Sequence, residues 1–208
     1  IFACLLNSKK MVGKNLFKSV LFIPALTSAV VAATIFRLIF GELPGSLMNQ
    51  LISALGMSPM KWLKVPTTAF IALLTIACWR WTGVNIMYFL SGLQNIPKEV
   101  NESAELDGAT TWQKFRYITV PMLRPITVYV LTISIYGGMA MFTEAYMLWG
   151  GNKSPNDMGL TIVGYLYRQG WEQNNMGYGS AIGIFLLAFA LALNLSQLKV
   201  FGIFNKEE

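Results

Sequence analysis

The sequence predicts an all-α polytopic membrane protein with four complete transmembrane helices and the end of an earlier one. Charged residues make up 12% of the chain and hydrophobic residues 54%, whereas about 25% of the residues of a soluble domain are charged. Four long stretches carry at most two charged side chains each, and a helix needs about 20 mainly apolar residues to cross the hydrocarbon. We therefore expect the chain to lie in a membrane.

The first two spans follow a short apolar segment. This segment, IFACLL, begins without Met, and we interpret it as the end of a helix that starts before Ile1. The first complete span covers residues 17–40 and contains the uncharged run SVLFIPALTSAVVAATIF. The second span covers residues 66–93, where Arg80 is the single charged residue.

The third and fourth spans cover residues 122–148 and 177–200. Glu144 is the single charged residue between Pro125 and Gly151. A continuous helix through the third span would place Tyr136 and Glu144 on one side, because of their helical spacing. We treat residues 1–208 as a single transmembrane domain.

The basic residues predict the orientation, because cytoplasmic loops carry the excess of lysine and arginine. Four basic residues belong to the two loops that follow the first and third spans: Lys61, Lys64, Lys153 and Arg168. Ten belong to the other side: Lys9, Lys10, Lys14, Lys18, Lys98, Lys114, Arg116, Arg124, Lys199 and Lys206. We therefore expect the N-terminal loop, residues 97–121 and the C-terminus in the cytoplasm.

Several classes of site are excluded or disfavoured by composition. The chain contains no His, which excludes His-based zinc sites and His-based catalysis within it. Cys4 and Cys78 lie in apolar sequence, which favours two buried thiols over a disulfide or a metal pair. No phosphate-binding loop of the form G-x-x-x-x-G-K-[ST] is present. We expect no catalytic residue, metal or cofactor in this chain, and no nucleic-acid partner.

The most polar segment, residues 97–121, separates the second and third spans. Pro97 suits the first position of a helix, and Glu99 in the first turn suits the helix dipole. These features predict a short helix in PKEVNESAEL, followed by a turn at Asp107 and Gly108. An amphipathic connector lying at the membrane surface is an alternative interpretation of the same residues.

A second short helix is predicted in WQKFRYI, capped by Thr110 or Thr111. Trp112 and Phe115 would lie along one side of it, and Pro121 would end it before the third span. The two short helices together form an elbow, which we define as residues 97–121.

The elbow resembles the EAA loop of the membrane subunits of ABC importers. That pattern reads E-A-A, three residues, G, nine residues, I, one residue, then L-P. This chain has Glu102 to Ala104, Gly108, Ile118 and Pro121 at those positions, with Ser103 for the first Ala and Val120 for the Leu. The longer segment GLQNIPKEVNESAELDGATTWQKFRYITVPMLRP is similar to the carbohydrate-uptake branch of that family.

The resemblance implies a permease subunit of a sugar importer, of which this chain is a fragment that lacks the N-terminal helices of a six-helix core. It also implies a second permease subunit, two ATP-binding subunits that hold ATP and Mg, and an extracytoplasmic solute-binding protein. The elbow would be the coupling helix that seats in an ATP-binding subunit. The coupling residues would be Glu102, Ser103, Ala104, Asp107, Gly108, Ala109, Trp112 and Phe115.

A substrate path is predicted from polar and aromatic residues at membrane depth, where a charged side chain is costly and marks a functional site by default. The second span contributes Trp79, Arg80, Trp81 and Asn85. The resemblance adds residues of the third span near Tyr136 and Glu144.

Alternatives to these roles are open. Arg80 could pair structurally with Glu144, and the tryptophans could be packing or interfacial residues. Import of a glycerol-phosphate or a polyol is an alternative to sugar. A membrane-embedded enzyme or a scaffold is a further class.

Overall fold

A computed structural model describes residues 1–8 and 11–201, and this part of the chain is helical and contains no strand. The orientation prediction at Lys9, Lys10, Lys206 and the C-terminus falls outside the described residues. Two π-helical turns lie at Phe115–Thr119 and Arg168–Glu172, and a 3-10 turn at Pro155–Asp157. The α-helices are α1 (Phe2–Asn7), α2 (Lys14–Leu26), α3 (Ala29–Ile39), α4 (Leu47–Ala54), α5 (Pro66–Gln94), α6 (Lys98–Leu106), α7 (Thr111–Lys114), α8 (Val120–Met122), α9 (Arg124–Met139), α10 (Phe142–Trp149), α11 (Ile162–Tyr167) and α12 (Met176–Val200).

Three described segments are long and apolar enough to cross a membrane, and a fourth qualifies if a bent pair of helices counts as one span. The three are α5, α12 and the stretch Arg124–Trp149 that contains α9 and α10. The bent pair is α2 with α3. The all-α membrane class is therefore confirmed, and α5 and α12 end close to the bounds predicted for the second and fourth spans.

The first predicted span, residues 17–40, is two helices rather than one. α2 ends at Leu26 and α3 begins at Ala29, with a bend of 96° between them. Pro24 lies inside α2, where it removes a backbone donor and weakens the last turn. Ser28 takes φ −53° and ψ 137°, the non-helical conformation of a residue that precedes a helix. Hydropathy did not reveal this break, since the residues on both sides of it are apolar.

The third predicted span is also interrupted. Met141 has φ −71° and ψ 66°, and the Phe142 N–H donates to the Ala140 carbonyl at 2.7 Å, which together form an inverse γ-turn. Two glycines, which are poor helix formers, precede the break at positions 137 and 138. The predicted helix through Tyr136 and Glu144 is therefore not continuous, although Arg124–Trp149 still counts as one membrane span.

The chain forms two compact units. Unit 1 comprises Ile1–Ile23, Thr82–Ile135 and Ala192–Glu208, and unit 2 comprises Pro24–Trp81 and Tyr136–Leu191. The core of unit 1 contains Ala3, Leu6, Ile86, Leu90, Leu93 and Leu123. The core of unit 2 contains Phe36, Phe40, Ile52, Trp62, Leu63, Ala72, Ile76 and Leu148. That residues 1–208 act as a single permease domain stays a prediction.

Asn49 on α4 organises the loop that follows α3 in unit 2. Its side chain is fully buried. Its Oδ1 accepts from the Met60 N–H at 2.9 Å and from Nε1 of Trp62 at 2.8 Å. Its Nδ2 donates to the carbonyls of Leu43 and Met60, each at 3.1 Å. One side-chain amide therefore forms hydrogen bonds with the segments before and after α4 and holds Trp62 in the core.

Both cysteines are free. Cys4 is half-buried against the core of unit 1, whereas Cys78 is exposed. The prediction of two buried thiols is wrong for Cys78, because an apolar membrane helix does not reveal which of its faces other protein residues cover.

Gly83 lets the backbones of α5 and α2 touch in unit 1. A Cβ added to this buried glycine would lie 1.7 Å from the carbonyl oxygen of Leu21. Small residues at such crossings allow membrane helices to approach closely. A side chain here would push α2 away from α5.

We predict that Gly83→Ala lowers the stability of the protein by roughly 1–3 kcal/mol or more, because the methyl overpacks a backbone contact. Gly177→Ala is the matched control, since a methyl at this α12 glycine meets no atom within 4 Å. Thermal unfolding of the detergent-purified protein measures both. Equal midpoints for the two variants would contradict the α2–α5 contact.

Candidate functional site

The elbow begins with α6, as predicted. Pro97 takes φ −57° and ψ 137° and precedes the helix, so it is the N-cap residue rather than the first helical one. Glu99 lies in the first turn, where its charge is favourable at the positive end of the helix. No residue of α6 is buried.

The end of α6 explains the spacing between Ala104 and Gly108. Gly108 has φ +74°, its N–H donates to the Glu105 carbonyl at 3.1 Å, and the Ala109 N–H donates to the Ala104 carbonyl at 2.9 Å. This pair of hydrogen bonds is the Schellman motif, which needs a left-handed residue just after the helix. The predicted turn at Asp107 and Gly108 is confirmed.

Thr110 is the residue that caps the second helix. Its Oγ1 accepts from the Gln113 N–H at 3.3 Å, and the Gln113 Oε1 accepts from the Thr110 N–H at 2.7 Å. This reciprocal arrangement is a capping box, which satisfies two donors at the helix start. Of the two capping residues considered from sequence, the structure selects Thr110 over Thr111.

Pro121 does not end the second helix, contrary to the prediction. The chain continues from α7 through the π-helical turn into α8, which contains Pro121 and ends at Met122. Proline is tolerated in the first turn of a helical segment because its missing N–H is not needed there. The interruption comes at Leu123, which has ψ 1°.

A salt bridge joins the two arms of the elbow. Nζ of Lys114 lies 2.6 Å from Oε1 of Glu105, and the Lys114 side chain is 19% exposed. The two residues lie on either side of the Gly108 turn. The pair therefore restrains the angle between α6 and α7.

Most of the predicted coupling residues lie at the surface. Glu102, Ser103, Asp107, Gly108 and Trp112 are exposed, while Ala104, Ala109 and Phe115 are half-buried. The rings of Trp112 and Phe115 pack with their centroids 5.6 Å apart.

Two apolar surface residues of the elbow were not predicted from the sequence. Leu106 is 90% exposed and Tyr117 is 74% exposed. A large apolar side chain on an otherwise polar helix was the signal that could have identified Leu106. With Trp112, which is 69% exposed, these side chains give the elbow an apolar surface.

Phe115 and Asn85 line a cavity in unit 1. Its volume is about 360 Å³, and its walls also include Phe2, Ile86 and Leu123. Phe115 therefore faces the interior of unit 1 as well as Trp112. Asn85 belongs to this cavity and was not brought into the polar cluster of unit 2 described next.

Arg80 and Glu144 form an ion pair in unit 2. Nη1 of Arg80 donates to Oε1 of Glu144, and the two side chains are 13% and 9% exposed. Nη2 of Arg80 also donates to the Thr27 carbonyl at 3.3 Å. The buried Nε of Arg80 has no hydrogen-bond partner among the described residues. Of the alternatives considered from sequence, the pairing of Arg80 with Glu144 is present.

The aromatic residues near this pair have different surroundings. Trp79 packs on Phe36 of α3, with ring centroids 5.4 Å apart. The Arg80 guanidinium lies 5.8 Å from the ring centre of Trp81, within the range of a cation–π contact. Trp81 is 45% exposed and Tyr136 is 55% exposed. Trp79 is 38% exposed and has a ring partner, while Trp81 and Tyr136 leave more of their surface exposed.

A second polar cluster lies in the loop after α10. The Arg168 guanidinium binds both carboxylate oxygens of Asp157, at 2.7 and 3.2 Å, and the Asn152 carbonyl at 3.1 Å. These hydrogen bonds hold the pKa of the Asp157 carboxyl below its usual range. Trp171, in the neighbouring π-helical turn, is 66% exposed. The loop therefore holds a defined shape through side-chain contacts.

No group of three or more Cys, Asp or Glu side chains that could hold a metal ion occurs within residues 1–8 and 11–201. The expectation that this chain binds no metal or cofactor stays a prediction.

Residues 1–200 match the model of a protein family described as "Binding-protein-dependent transport system inner membrane component". The chain belongs to this family. The resemblance to the membrane subunits of ABC importers is thereby confirmed at the level of the family.

Several relatives of this chain are named as permease proteins of sugar transport systems, and the identities below compare this chain with three of them. The chain is 55% identical over 207 residues to the arabinooligosaccharides transport system permease protein AraP of Bacillus subtilis (strain 168), covering 100% of this chain and 66% of that protein. It is 45% identical over 206 residues to AraP of Halalkalibacterium halodurans, covering 99% and 65%. It is 30% identical over 200 residues to the lactose transport system permease protein LacF of Rhizobium radiobacter, covering 95% and 66%. The chain thus spans about two thirds of their lengths.

Two solved structures share the fold of this transport component. One is a bacterial ABC transporter involved in the import of the acidic polysaccharide alginate, with a TM-score of 0.84, 23% identity, and coverage of 96% of this chain and 70% of that one. The other is a bacterial alginate ABC transporter in complex with an alginate pentasaccharide-bound periplasmic protein, with a TM-score of 0.85, 22% identity, and coverage of 99% and 71%.

We predict that Thr110→Ala destabilises the start of the second elbow helix by about 1 kcal/mol, because it removes the capping acceptor. This corresponds to about fivefold faster hydrogen exchange at the Gln113 amide. Thr111→Ala is the control, since the Thr111 side chain makes no hydrogen bond to a described residue. Equal exchange rates in the two variants would contradict the capping box.

Proposed function

We propose that the chain is the transmembrane permease subunit of an ATP-driven, binding-protein-dependent importer of oligosaccharides. The observation that carries this proposal is the elbow, in which the importer motif coincides with a Schellman turn at Gly108 and an exposed apolar surface. Family membership and the sugar-transport names of the relatives support it. In this proposal the chain is not an enzyme, and ATP with Mg binds to a partner subunit.

The elbow is proposed to seat in a cleft of an ATP-binding subunit. Exposed apolar side chains surrounded by polar ones mark protein interaction sites, and aromatic residues often anchor them. Trp112 is the proposed anchor. Glu102 and Asp107 are exposed acidic groups that can meet basic side chains of the partner. The salt bridge between Glu105 and Lys114 and the turn at Gly108 keep the arms at a fixed angle, so that movement of the partner is transmitted to the spans.

The complete importer is proposed to contain a second permease subunit, two ATP-binding subunits and an extracytoplasmic solute-binding protein. The proposed location is the cytoplasmic membrane, with the N-terminal loop, the elbow and the C-terminus on the cytoplasmic side. The excess of lysine and arginine on that side supports this orientation.

The sugar path is proposed to run past Trp81 and Tyr136, whose rings are exposed and can stack on the C–H faces of a sugar. Asn85 lines the cavity of unit 1, and its part in the path stays a prediction from the sequence. Trp79, Arg80 and Glu144 are engaged in contacts within the protein, and they belong to the path as its supporting residues.

Arabinose-containing oligosaccharides are the proposed substrates, because two relatives with 55% and 45% identity over nearly the whole chain bear that name. Import of a glycerol-phosphate would favour an unpaired cation for the phosphate. The pairing of Arg80 with Glu144 weighs against this alternative.

We expect the transporter reconstituted with its binding protein to take up arabino-oligosaccharides, and we expect these sugars to stimulate its ATP hydrolysis. Glycerol-phosphate, a polyol and malto-oligosaccharides are the comparison ligands, tested at equal concentration. Stimulation by glycerol-phosphate or the polyol but by neither oligosaccharide would overturn the proposed substrate class.

We predict that Gly108→Val lowers the ratio of uptake to ATP hydrolysis at least tenfold. A β-branched residue strains the left-handed conformation and changes the elbow angle. Gly56→Val is the matched control, because Gly56 has φ +80° and ends α4 with the same pair of hydrogen bonds. A Gly108→Val transporter that couples as well as the Gly56→Val transporter would show that the elbow is not the coupling element.

A further inference from the structure

The Arg80 and Glu144 side chains lie where two membrane segments are broken. Arg80 donates to the carbonyl of Thr27, the residue that follows α2 at the 96° bend. Glu144 lies in the first turn of α10, just after the interruption at Met141. Each charge therefore meets the end of a helix.

The sign of each charge fits the helix end that it meets. The last carbonyls of a helix lack intrahelical partners and form its negative end, and the first N–H groups form its positive end. The Arg80 cation faces the C-terminal end of α2, and the Glu144 anion lies at the N-terminal end of α10. The arrangement has a polarity that a simple ion pair does not require.

The same stretch of α5 also packs against α3. Trp79 contacts Phe36, and Phe36 shares a core with Leu148 of α10. Consecutive residues of α5 therefore contact both helices that follow the breaks. The Glu144 side chain is 9% exposed and the Arg80 side chain 13%, which leaves little surface for a sugar.

We propose that Arg80 and Glu144 are positioning residues. Their ion pair holds the end of α2 and the start of α10 against α5, and neither side chain is a sugar ligand. The proposal rests on the proposed transport function, because Trp81, which the Arg80 guanidinium contacts, is a residue of the proposed sugar path.

The energetics of buried ion pairs supply the test. Removing one partner leaves an uncompensated buried charge, whereas replacing both can be nearly neutral. An ion pair that holds helices together therefore tolerates the loss of both charges better than the loss of one. A pair of sugar ligands does not, since each lost group removes contacts to the substrate.

The experiment compares Arg80→Gln, Glu144→Gln, the double variant Arg80→Gln/Glu144→Gln, and the exchange Arg80→Glu/Glu144→Arg in the assembled transporter. Membrane level, thermal unfolding, and the kcat and KM of arabino-oligosaccharide uptake are measured for each. We expect each single variant to lower the membrane level or kcat at least tenfold. The membrane level and the kcat of the double variant should return to within threefold of the native values, and its KM should stay within twofold.

The exchange variant tests the polarity. It places a carboxylate against the Thr27 carbonyl and a cation at the start of α10, so we expect it to remain as impaired as the single variants. Native activity in the exchange variant would reduce the pair to an ordinary ion pair without a role at the helix ends. A double variant at native level in the membrane with KM raised tenfold or more would identify the charges as sugar ligands.

Thermal unfolding separates this proposal from the transport proposal, because it needs no substrate. If the native transporter imports no sugar, the transport proposal fails. The double variant should still unfold at a higher temperature than either single variant. A double variant that unfolds at a lower temperature than the single variants would overturn the proposed positioning role of the ion pair, whatever the substrate is.

Discussion

Backbone polar groups in a membrane have to be satisfied within the protein, and this constraint governs the rest of the structure. Unbroken helices satisfy it by themselves, as α5 and α12 do. A break exposes carbonyl and N–H groups that need other partners. Among the described residues, membrane segments are broken after α2 and before α10. The Arg80 side chain donates to a carbonyl at the first break, and Glu144 lies in the first helical turn after the second. Burying two charges costs free energy, and so does interrupting two helices. Because each charge lies at a helix end of opposite sign, the two costs partly offset each other.

The elbow follows a different rule, because its helices are short and solvent-exposed. Such helices are marginal on their own, so their ends need local hydrogen bonds. The Schellman turn at Gly108 and the capping box at Thr110 supply these bonds. The fixed interval between Ala104 and Gly108 in the importer motif has a physical meaning here. The carbonyl of Ala104 accepts the hydrogen bond that spans the larger number of residues in the turn, and Gly108 takes the left-handed conformation.

The sequence was informative where structure depends on near neighbours. The two elbow helices, the turn at Gly108 and a threonine cap all follow from residues within a few positions of one another. The long helices α5 and α12 follow from composition. The break at Thr27 and Ser28 was missed, although Pro24 was visible, since proline kinks some membrane helices and ends others. At the break, the Thr27 carbonyl finds its side-chain partner in Arg80, which lies 53 positions away in sequence.

Residues of the site were harder to predict than the fold for the same reason. Arg80 and Glu144 were recognisable as costly membrane charges, but pairing and sugar binding are both consistent with a lone charge in an apolar stretch. Asn49 is fully buried on α4, but its partners are backbone groups, which every residue has, and the indole N–H of Trp62, 13 positions away. Exposed Leu106 and Tyr117 show the converse case, in which an ordinary apolar residue gains a role from the surface on which it lies.

Of the two helical segments that flank the elbow in sequence, only α5 contains its member of the ion pair without an interruption. It runs unbroken from Pro66 to Gln94 and carries both Gly83 and Arg80. The segment after the elbow is interrupted at Met141, before Glu144 is reached. Arg80 therefore belongs to the same unbroken helix as Gly83, whereas a γ-turn separates Glu144 from α9. Within unit 2, the pairing of Arg80 with Glu144 thus joins α5 directly to the helix beyond the turn.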